Sequence, residues 1–507
     1  MDNPIRFILN DEPVRSRLPQ GTVVLDFLRR ERRLTGTKEG CREGDCGACT
    51  VLLGRLSEES EAALEYAAVT SCLLPLGDLE AKHLVSIEGL NPPLDKDMAA
   101  EPVPLTPVQS VLVEHGAIQC GFCTPGFVLS LTGYLLAHRG WSYAGALEAV
   151  AGNICRCTGY ASIQRAIADL LERLGGEGLP GAGRSRREHL EMLVARRVVP
   201  GYFLSIPERL RSLQGEDEPR LAQQPKQRGR GRMKQQTQQH EAEHTVVAGG
   251  TDLFVQKPDQ LLSEPLRFLS ASEQQKRVSV EGDRLYLGAG ITMEEVKHIP
   301  ELSDHVPGLA EVLPLIASTP IRNRATVGGN IINASPIGDF TVMLLALGAV
   351  LGLEADDRIR EVPLERFFLG YKQLDMKEGE GLEWVALPLE RGSFSFEKVS
   401  RRRYLDIASV NSAAWMLIRD GRIERARLAA GGVAPVPLYL DGGSSLLEGE
   451  TPRDELIEQL LNTVQEEIAP IGDVRGSERY KRLLLRQLLL AHFYRLFPEQ
   501  MHTEVWV

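Results

Sequence analysis

The chain has 507 residues, too long for one ordinary core, which predicts two to four domains. Its composition, 43% hydrophobic and 25% charged, is typical of a soluble globular protein, and its formal charge of −11 disfavours nucleic acid as a partner. No apolar run approaches the roughly 20 residues of a membrane span, and the first residues lack a signal-peptide pattern. We therefore expect a cytoplasmic protein with no membrane contact and no disulfide framework.

The first 90 residues predict a small α+β domain. Alternating apolar residues indicate strands, and a stretch rich in glycine and cysteine without periodicity indicates a loop. The predicted elements are a hairpin of strands at 5–9 and 14–18, a helix from a Thr22 cap to about Arg33, a loop over Gly36–Cys49, and strands at Thr50–Leu53 and Tyr66–Leu74.

Residues 91–175 predict four antiparallel helices. Each predicted helix follows a residue type that favours an N-cap, twice with proline directly after it. Cysteines fall in the loops before the second and fourth helices. The candidate caps are Thr106, Thr124, Ser142 and Ser162, and the last helix ends near Leu174.

Residues 176–243 predict a linker. It is glycine-rich at its start and, from residue 216 on, rich in Gln, Arg and Lys with almost no apolar content. A basic cluster at Arg228, Arg230, Arg232 and Lys234 fits a solvated tether better than a nucleic-acid patch, because no aromatic residues interleave with it.

Residues 244–507 predict a mixed α+β region of two lobes, 244–388 and 389–507. The predicted elements are strands at Thr245–Ala248, Leu285–Leu287, Phe394–Val399 and Ile407–Leu417, and helices at about 340–350, 452–467 and 477–495.

All eight cysteines lie between residues 41 and 157, and their spacing points to metal chemistry. Cys41, Cys46 and Cys49, followed by Cys72, have the spacing of a plant-type [2Fe–2S] cluster. Three glycines in the same loop would let the backbone wrap tightly around two irons. A structural zinc site is the alternative, but zinc favours two Cys-x-x-Cys knuckles over a four-residue gap.

The other four cysteines, Cys120, Cys123, Cys155 and Cys157, form a second set. Taken alone, this set could also hold zinc. Beside the first set, and with no cysteine left over, a second [2Fe–2S] cluster is the better interpretation. Two clusters in one chain imply an electron relay.

The segments around these cysteines resemble the molybdenum hydroxylase family, whose members include xanthine dehydrogenase and aldehyde oxidase. The resemblance rests on Gly40–Cys49, Gln119–Gly126 and Gly152–Tyr160. It implies a β-grasp, plant-type ferredoxin domain over 1–90 and a four-helix [2Fe–2S] domain over 91–175. In that family the second cluster lies next to the molybdopterin, a glutamine at the position of Gln119 contacts the pterin, and the first cluster lies toward the flavin.

Two glycine pairs downstream suggest a dinucleotide site. Gly249 and Gly250 follow a strand, but no GxGxxG motif is present, so a Rossmann fold is not supported and a plain turn is the simpler interpretation of this pair alone. The stretch 326–339 adds a second pair, hydroxyl and amide donors, and Asp339 for ribityl or ribose hydroxyls. Together the stretches resemble the family's FAD domain, of vanillyl-alcohol-oxidase-like fold, over about 244–500.

The resemblance implies FAD contacts position by position. Lys398 matches a lysine beside the isoalloxazine, where its charge would stabilise reduced flavin. Ile316 and Leu405 depart from the animal enzymes, which have phenylalanine and an acidic residue there, but NAD⁺ is still the expected acceptor. The implied FAD contacts are Val247, Gly249, Gly250, Thr251, Asp252, Leu253, Thr326, Gly329, Asn330, Ile332, Asp339 and Lys398.

Relatives with every activity in one chain continue into a molybdopterin domain, which we do not expect here. The resemblance therefore implies the small iron–sulfur/FAD subunit of a bacterial-type xanthine dehydrogenase. It would pass electrons from a molybdopterin-binding large subunit through two clusters to FAD and NAD⁺ as hypoxanthine or xanthine becomes urate, in a dimer of heterodimers. An aldehyde or N-heterocycle as substrate is an alternative, and a zinc-binding assembly scaffold is a non-enzyme alternative. No catalytic acid–base or nucleophile set is evident.

Overall fold

The computed structural model describes residues 4–57, 64–91, 104–137, 139–175, 184–215, 244–271 and 274–499. The described residues fall into two compact units, one within 1–268 together with 319–321 and the other within 269–318 together with 322–507. Both units mix helices and strands, as the apolar patterns in the sequence predict. Among the helices in these ranges, none combines the length and apolar character needed to cross a membrane.

The N-terminal unit begins with a five-stranded mixed sheet. The predicted hairpin is confirmed, because Ile5–Leu9 pairs antiparallel with Glu12–Ser16. Asn10 turns the chain in the left-handed conformation with a φ of 54°, which asparagine tolerates better than most residues. In spatial order the strands are Glu12–Ser16, Ile5–Leu9, His83–Val85, Thr50–Leu56 and Leu64–Thr70.

The helix predicted from Thr22 to Arg33 is shorter and differently capped. An α-helical turn at Val24–Asp26 continues as a π-helix over Phe27–Glu31. The residue before the helix is Val23, and no side chain caps it. The Thr22 carbonyl instead accepts a hydrogen bond from the Leu76 amide at 2.8 Å. A tertiary contact therefore takes the place of the predicted local cap.

The four helices predicted after residue 91 are present and pack in a ring, each against the next. Two predicted caps are confirmed: Thr106 forms a capping box with Gln109, and the Ser142 hydroxyl accepts from the Gly145 amide. The helices are Pro107–Glu114, Thr124–Leu136, Tyr143–Ala149 and Ala161–Arg173.

The other two predicted caps, Thr124 and Ser162, are wrong. Both residues lie inside their helices, and the cap positions belong to Cys123 and Tyr160, neither of which makes a side-chain cap. The reason is that cysteine loops run directly into these helices. Tyr160 adopts a left-handed conformation and its hydroxyl accepts from the Cys155 amide at 3.0 Å.

The predicted linker 176–243 is corrected over residues 184–215. This stretch forms two helices, Arg186–Ala195 and Ile206–Gly215, and the first begins with a capping box. Leu193, Phe203 and Leu210 are fully buried in the same core as the four-helix ring. Frequent charged residues hide this apolar face in the sequence. The glycine-rich start and the stretch from 216 to 243, including the basic cluster, lie outside the described residues.

The N-terminal unit also contains residues that the sequence assigns to the flavin region. A parallel pair, Thr245–Val247 with Leu266–Phe268, belongs to this unit together with the short helices Leu253–Gln256 and Pro258–Leu261. The first compact unit thus extends to residue 268, past the boundary predicted at 244. The cause is apolar packing, since Phe254 and other residues of this segment share a buried core with Leu25, Leu73 and two of the cysteines, Cys49 and Cys72.

Besides a two-stranded antiparallel pair, Phe368–Gly370 with Gln373–Leu374, the C-terminal unit contains two larger antiparallel sheets. The boundary predicted at 388 lies between them. The first sheet is, in spatial order, Arg358–Pro363, Val350–Ala355, Gly381–Pro388, Arg284–Gly288 and Val278–Glu281, and the second is Ser393–Val399, Val410–Arg419, Arg422–Gly431 and Leu438–Tyr439.

The helices of the C-terminal unit include the three that the sequence predicts. The first of these is shorter than predicted, because a strand begins at Val350. Several strands, including Gly381–Pro388 and Arg422–Gly431, were not predicted. The helices are Met293–Val296, Pro300–His305, Leu309–Val312, Val327–Ile332, Asp339–Ala346, Leu364–Phe367, Asp441–Leu447, Asp454–Glu467 and Glu478–Leu496.

The helix Arg186–Ala195 gives a test of its packing. Leu193→Ala removes a fully buried side chain, so we expect the free energy of unfolding of the N-terminal unit to fall by about 2–5 kcal/mol. Glu191→Ala, at an exposed position of the same helix, should change it by less than about 0.5 kcal/mol. Urea unfolding followed by circular dichroism measures both, and equal effects would mean that the helix does not pack.

Candidate iron–sulfur and flavin sites

The first four cysteines meet at the end of the first sheet. Cys41, Cys46 and Cys49 lie in the loop that leads into Thr50–Leu56, and Cys72 lies in a turn directly after Leu64–Thr70. The Cys41 and Cys46 thiols are hydrogen-bonded to each other, as are those of Cys49 and Cys72. The four thiols thus form two hydrogen-bonded pairs, an arrangement that suits a centre of two irons in which each iron has two thiolate ligands.

Backbone N–H groups surround these sulfurs. The Glu43 amide donates to Cys41 Sγ at 3.3 Å, and further amides of the loop donate to Cys41 and Cys72. The hydrogen bond from Cys46, with these amides, lowers the pKa of Cys41 to about 5. Four thiols in a shell of N–H donors fit a [2Fe–2S] cluster, since such donors stabilise thiolate and sulfide charge.

The loop conformation depends on glycine at two positions. Gly44 and Gly47 have φ values of +80° and +66°, a region that residues with a side chain rarely adopt. Arg42 fastens the loop from outside, because its guanidinium pairs with Asp26 at 2.5 Å and with Glu39 at 2.6 Å. The sequence therefore encodes a preformed cradle.

The second four cysteines meet where two helices begin. Cys120 and Cys123 precede Thr124–Leu136, and Cys155 and Cys157 precede Ala161–Arg173. The sulfurs of Cys120 and Cys157 are 3.6 Å apart, and Cys123 is hydrogen-bonded to Cys155. Burial raises the pKa of Cys123 to about 12. Among the described residues no three ligand side chains converge on a single metal ion, and this set again forms two pairs.

The two cysteine loops touch each other. The Ile154 amide donates to the Cys46 carbonyl at 3.0 Å, and Asn153 Nδ2 donates to the Gly47 carbonyl at 3.0 Å. A Cβ added at Gly126 would collide with the Gly47 carbonyl oxygen. Only glycine therefore allows this approach, which brings the two cysteine sets next to each other.

The first glycine pair lies against the first cysteine set. Val247 and Phe254 share a buried core with Cys49 and Cys72. Gly250 has a φ of +74°, which makes a tight turn at the end of the strand Thr245–Val247. The rest of the predicted FAD segment in this unit is Gly249, Thr251, Asp252 and Leu253, of which Leu253 begins a short helix.

The second glycine pair belongs to the C-terminal unit and is helical. The Thr326 hydroxyl caps Val327–Ile332 by accepting from the Gly329 amide at 3.0 Å, and Asn330 Oδ1 accepts from the Thr341 hydroxyl at 2.9 Å. Ile332 is 37% exposed. Both groups act as acceptors in these local hydrogen bonds, which use the oxygen of each side chain and not the donor hydrogens that the sequence offers to FAD.

Asp339 and Lys398 form a buried ion pair. Lys398 Nζ lies 2.7 Å from Asp339 Oδ2, and the other carboxylate oxygen accepts from Asn411 at 2.5 Å. Burial raises the pKa of Asp339, and Lys398 and Asn411 oppose that rise. The role predicted for Asp339, bonding to ribityl or ribose hydroxyls, stays a prediction, because each oxygen has one partner within the protein and can accept a second hydrogen bond.

A buried arginine holds the loop whose Leu315 carbonyl accepts a hydrogen bond from Lys398. Arg322 Nε lies 2.8 Å from Glu294 Oε2, and Arg322 Nη1 donates to the Ile316 carbonyl at 3.0 Å. Burial opposes ionisation of Glu294, but His298, Arg322 and Lys297 hold its pKa well below the usual range. The loop that contains Ile316, one of the two departures from the family pattern, is thus anchored by charge-assisted hydrogen bonds.

Four family models match the chain in succession. They are the 2Fe-2S iron-sulfur cluster binding domain over 7–76, the [2Fe-2S] binding domain over 87–168, the FAD binding domain in molybdopterin dehydrogenase over 232–390, and the CO dehydrogenase flavoprotein C-terminal domain over 395–496. Domain by domain, the chain is similar to the molybdenum hydroxylase family. Two 2Fe-2S domains and an FAD-binding domain are thus present, and the third model begins inside the predicted linker.

Two kinds of enzyme, a xanthine dehydrogenase and an aldehyde oxidase, are similar to this chain. Xanthine dehydrogenase 1 of Arabidopsis thaliana is 29% identical over 96% of this chain, and aldehyde oxidase 2 of Macaca fascicularis is 27% identical over 97% of it. The chain spans 39% of the length of each. Among solved structures, the carbon monoxide dehydrogenase of Hydrogenophaga pseudoflava matches 51% of this chain and 91% of its own, with 25% identity and a TM-score of 0.48.

Three residues of these candidate iron–sulfur and flavin sites were not predicted from the sequence. Asn153 joins the cysteine loops, Arg322 anchors the loop at 314–316, and Asn411 holds Asp339. A polar residue at the start of an otherwise apolar strand was a signal for Asn411. Nothing in the local sequence marks Asn153 or Arg322, because their partners lie far along the chain or in irregular loops.

If the two cysteine sets bind separate clusters, replacing one cysteine in either set should remove only the cluster of that set. Cys72→Ser should lower iron from about four to about two per chain and remove one of two EPR signals from the dithionite-reduced protein. Cys155→Ser should remove the other signal, so each variant is the control for the other. Loss of both signals from either change, or of neither, would contradict the assignment of two independent sets.

The contact between the loops predicts the effect of one methyl group. Gly126→Ala places a Cβ against the Gly47 carbonyl, so the N-terminal unit should lose about 1–3 kcal/mol of stability and bind less iron. Gly140→Ala, where a Cβ meets nothing within 4 Å, is the matched control. Thermal unfolding and iron assay measure both, and a neutral Gly126→Ala would show that the loops do not touch.

Proposed function

We propose that the chain is the iron–sulfur and FAD electron-transfer component of a molybdenum hydroxylase that works with a molybdopterin-binding large subunit. One observation carries the proposal. Within the N-terminal unit the second cysteine set, the first cysteine set and the first glycine pair follow one another in contact, through the Ile154–Cys46 hydrogen bond and the core around Val247. This is the order that an electron relay requires.

The residues of the chain would hold the carriers and fix their spacing. When bound, the clusters carry single electrons and FAD collects two of them for a two-electron acceptor. The two cysteine sets supply the ligands, the amides around Cys41 stabilise their charge, and Asn153 keeps the loops together. Because these groups are held by buried contacts, little rearrangement accompanies each transfer.

Electrons would enter at the second cysteine set. Cys120 and Cys157 are exposed, and so are Gln119 and two aromatic side chains, Phe122 at 46% and Tyr160 at 39%. The first set is more enclosed, with Cys49 and Cys72 buried. An exposed thiolate set with aromatic residues around it suits docking against a partner, which supports a large subunit that presents its molybdopterin here and a role for Gln119 at the pterin.

Xanthine or hypoxanthine is the proposed substrate class, with urate as product and NAD⁺ as acceptor. The identity to Arabidopsis xanthine dehydrogenase supports it. An aldehyde is the second candidate, because aldehyde oxidase 2 of Macaca fascicularis is nearly as similar. An N-heterocycle is an alternative substrate beside the aldehyde, whereas a dimer of heterodimers and a cytoplasmic location are part of the proposal.

Turnover of the co-purified complex tests this function. We expect bound FAD, two distinct [2Fe–2S] EPR signals and a molybdopterin-containing partner, with NAD⁺ reduced when xanthine is added. An aldehyde that supports turnover while xanthine does not would select the second candidate. Zinc in place of iron in a colourless preparation would contradict the whole proposal and favour a scaffold.

The exposed aromatic residue beside Cys123 gives a further prediction. Phe122→Ser should weaken association with the large subunit about tenfold or more, so reduction of the clusters by substrate slows at limiting partner, whereas reduction by dithionite stays unchanged. Val113→Ser, 54% exposed on the helix Pro107–Glu114, is the matched control. Stopped-flow absorbance measures both rates, and equal behaviour of the two variants would contradict entry at this face.

A further inference from the structure

Lys398 is not a free cation. Its side chain is 3% exposed, and its ammonium donates to Asp339 at 2.7 Å and to the Leu315 carbonyl at 2.9 Å. Burying an unpaired charge is very costly, so the lysine needs these partners in order to lie inside the unit. The carboxylate of Asp339 carries the opposite charge at contact distance, and the two groups together are close to neutral.

Asn411 holds Asp339 from the other side. It is fully buried and lies directly opposite Lys398 on the neighbouring antiparallel strand. Its Nδ2 donates to Asp339 Oδ1 at 2.5 Å and to the Ile337 carbonyl at 3.1 Å. The carboxylate is thus fixed between a lysine and an amide that the sheet register places side by side.

The orientation of the Asn411 amide indicates that its function is to donate hydrogen bonds to Asp339 and Ile337. Its Oδ1 is buried and has no hydrogen-bond partner among the described residues, an arrangement that destabilises the folded state. The reverse orientation would turn this oxygen toward the carboxylate and lose both donated bonds. Gly431 lies opposite Asn411 on the next strand, where a Cβ would collide with Oδ1. The fold therefore accepts an unpaired acceptor in order to keep two donors on Asp339 and Ile337.

We propose that Asp339 and Asn411 are positioning residues: Asp339 holds the Lys398 ammonium in place and cancels its charge, and Asn411 fixes the carboxylate, so that the flavin site contains a compensated ion pair. This inference rests on the proposed function, in which Lys398 lies beside the isoalloxazine. An uncompensated cation there would favour the reduced, anionic form of the flavin. A compensated ion pair stabilises the reduced flavin less than a lone cation does. Asp339 therefore gives the flavin a lower reduction potential than it would have beside Lys398 alone.

Three variants of the full chain, purified with its partner subunit, test the charge balance. Asp339→Asn keeps the shape and leaves the lysine uncompensated, so the midpoint potential of the flavin should become more positive. Lys398→Met leaves a carboxylate and should make it more negative. The double variant removes both charges and should return the potential close to that of the wild type. Spectroelectrochemical titration of the flavin absorbance measures all four proteins.

A second measurement needs no flavin. Removing one member of a buried ion pair destabilises a protein more than replacing both members does. In the flavin-stripped chain, each single variant should therefore lower the midpoint of thermal unfolding of the C-terminal unit more than the double variant does. This ordering remains testable even if a variant no longer retains FAD.

Asn411 has its own test and matched control. Asn411→Leu removes the donor from Asp339, so burial favours the neutral acid and the flavin potential should shift in the same direction as in Asp339→Asn, by less. Ser412→Ala, the buried neighbour that donates to the Ala429 carbonyl instead, should leave the potential unchanged.

The outcomes separate this inference from the proposed function. A wild-type protein that binds no FAD would overturn the proposed function. FAD that binds normally, with potentials that do not follow the predicted order or with a double variant that behaves like Lys398→Met, would overturn only the charge balance. Additive losses of thermal stability in the flavin-stripped variants would overturn it as well.

Discussion

The hydrogen bond from the Ile154 amide to the Cys46 carbonyl is the contact on which the arrangement of the N-terminal unit depends. It joins two loops that are far apart in the sequence and that each carry four cysteines. Glycines at 47 and 126 make the approach possible, since side chains there would fill the space between the loops. Electron transfer between two centres requires short, fixed spacing, and this direct contact between the two cysteine loops supplies it.

Direct packing also fixes the first glycine pair, which belongs to the predicted FAD site. Val247 and Phe254 pack on Cys49 and Cys72, so the first glycine pair is fixed to the first cysteine set by an apolar core and not by a tether. In the C-terminal unit the polar groups follow a different rule. Lys398, Asp339 and Asn411 are buried together, and each satisfies part of the hydrogen-bonding needs of the next. Apolar packing fixes position in one unit, and a compensated charge pair fixes the electrostatic field in the other.

Features encoded over short stretches were predictable from the sequence. The spacing of Cys41, Cys46 and Cys49 and the hairpin near the N-terminus depend on neighbouring residues, and the structure has both the hairpin and the paired thiols. The predicted caps at Thr124 and Ser162 and the predicted linker over 184–215 were wrong for a common reason. In each case a tertiary contact decides the local structure: a cysteine loop that runs into a helix, and an apolar helix face that joins a distant core.

Magnetic interaction between the two clusters tests most directly whether the cysteine loops place them side by side. EPR spectra of the fully reduced complex, recorded at the lowest temperatures, should show two signals that split or that relax faster than the single signal kept by a variant with one cluster. Two signals that match those of the one-cluster variants in width and relaxation would mean that the centres are well separated, and the proposed relay through the Ile154–Cys46 contact would then be wrong.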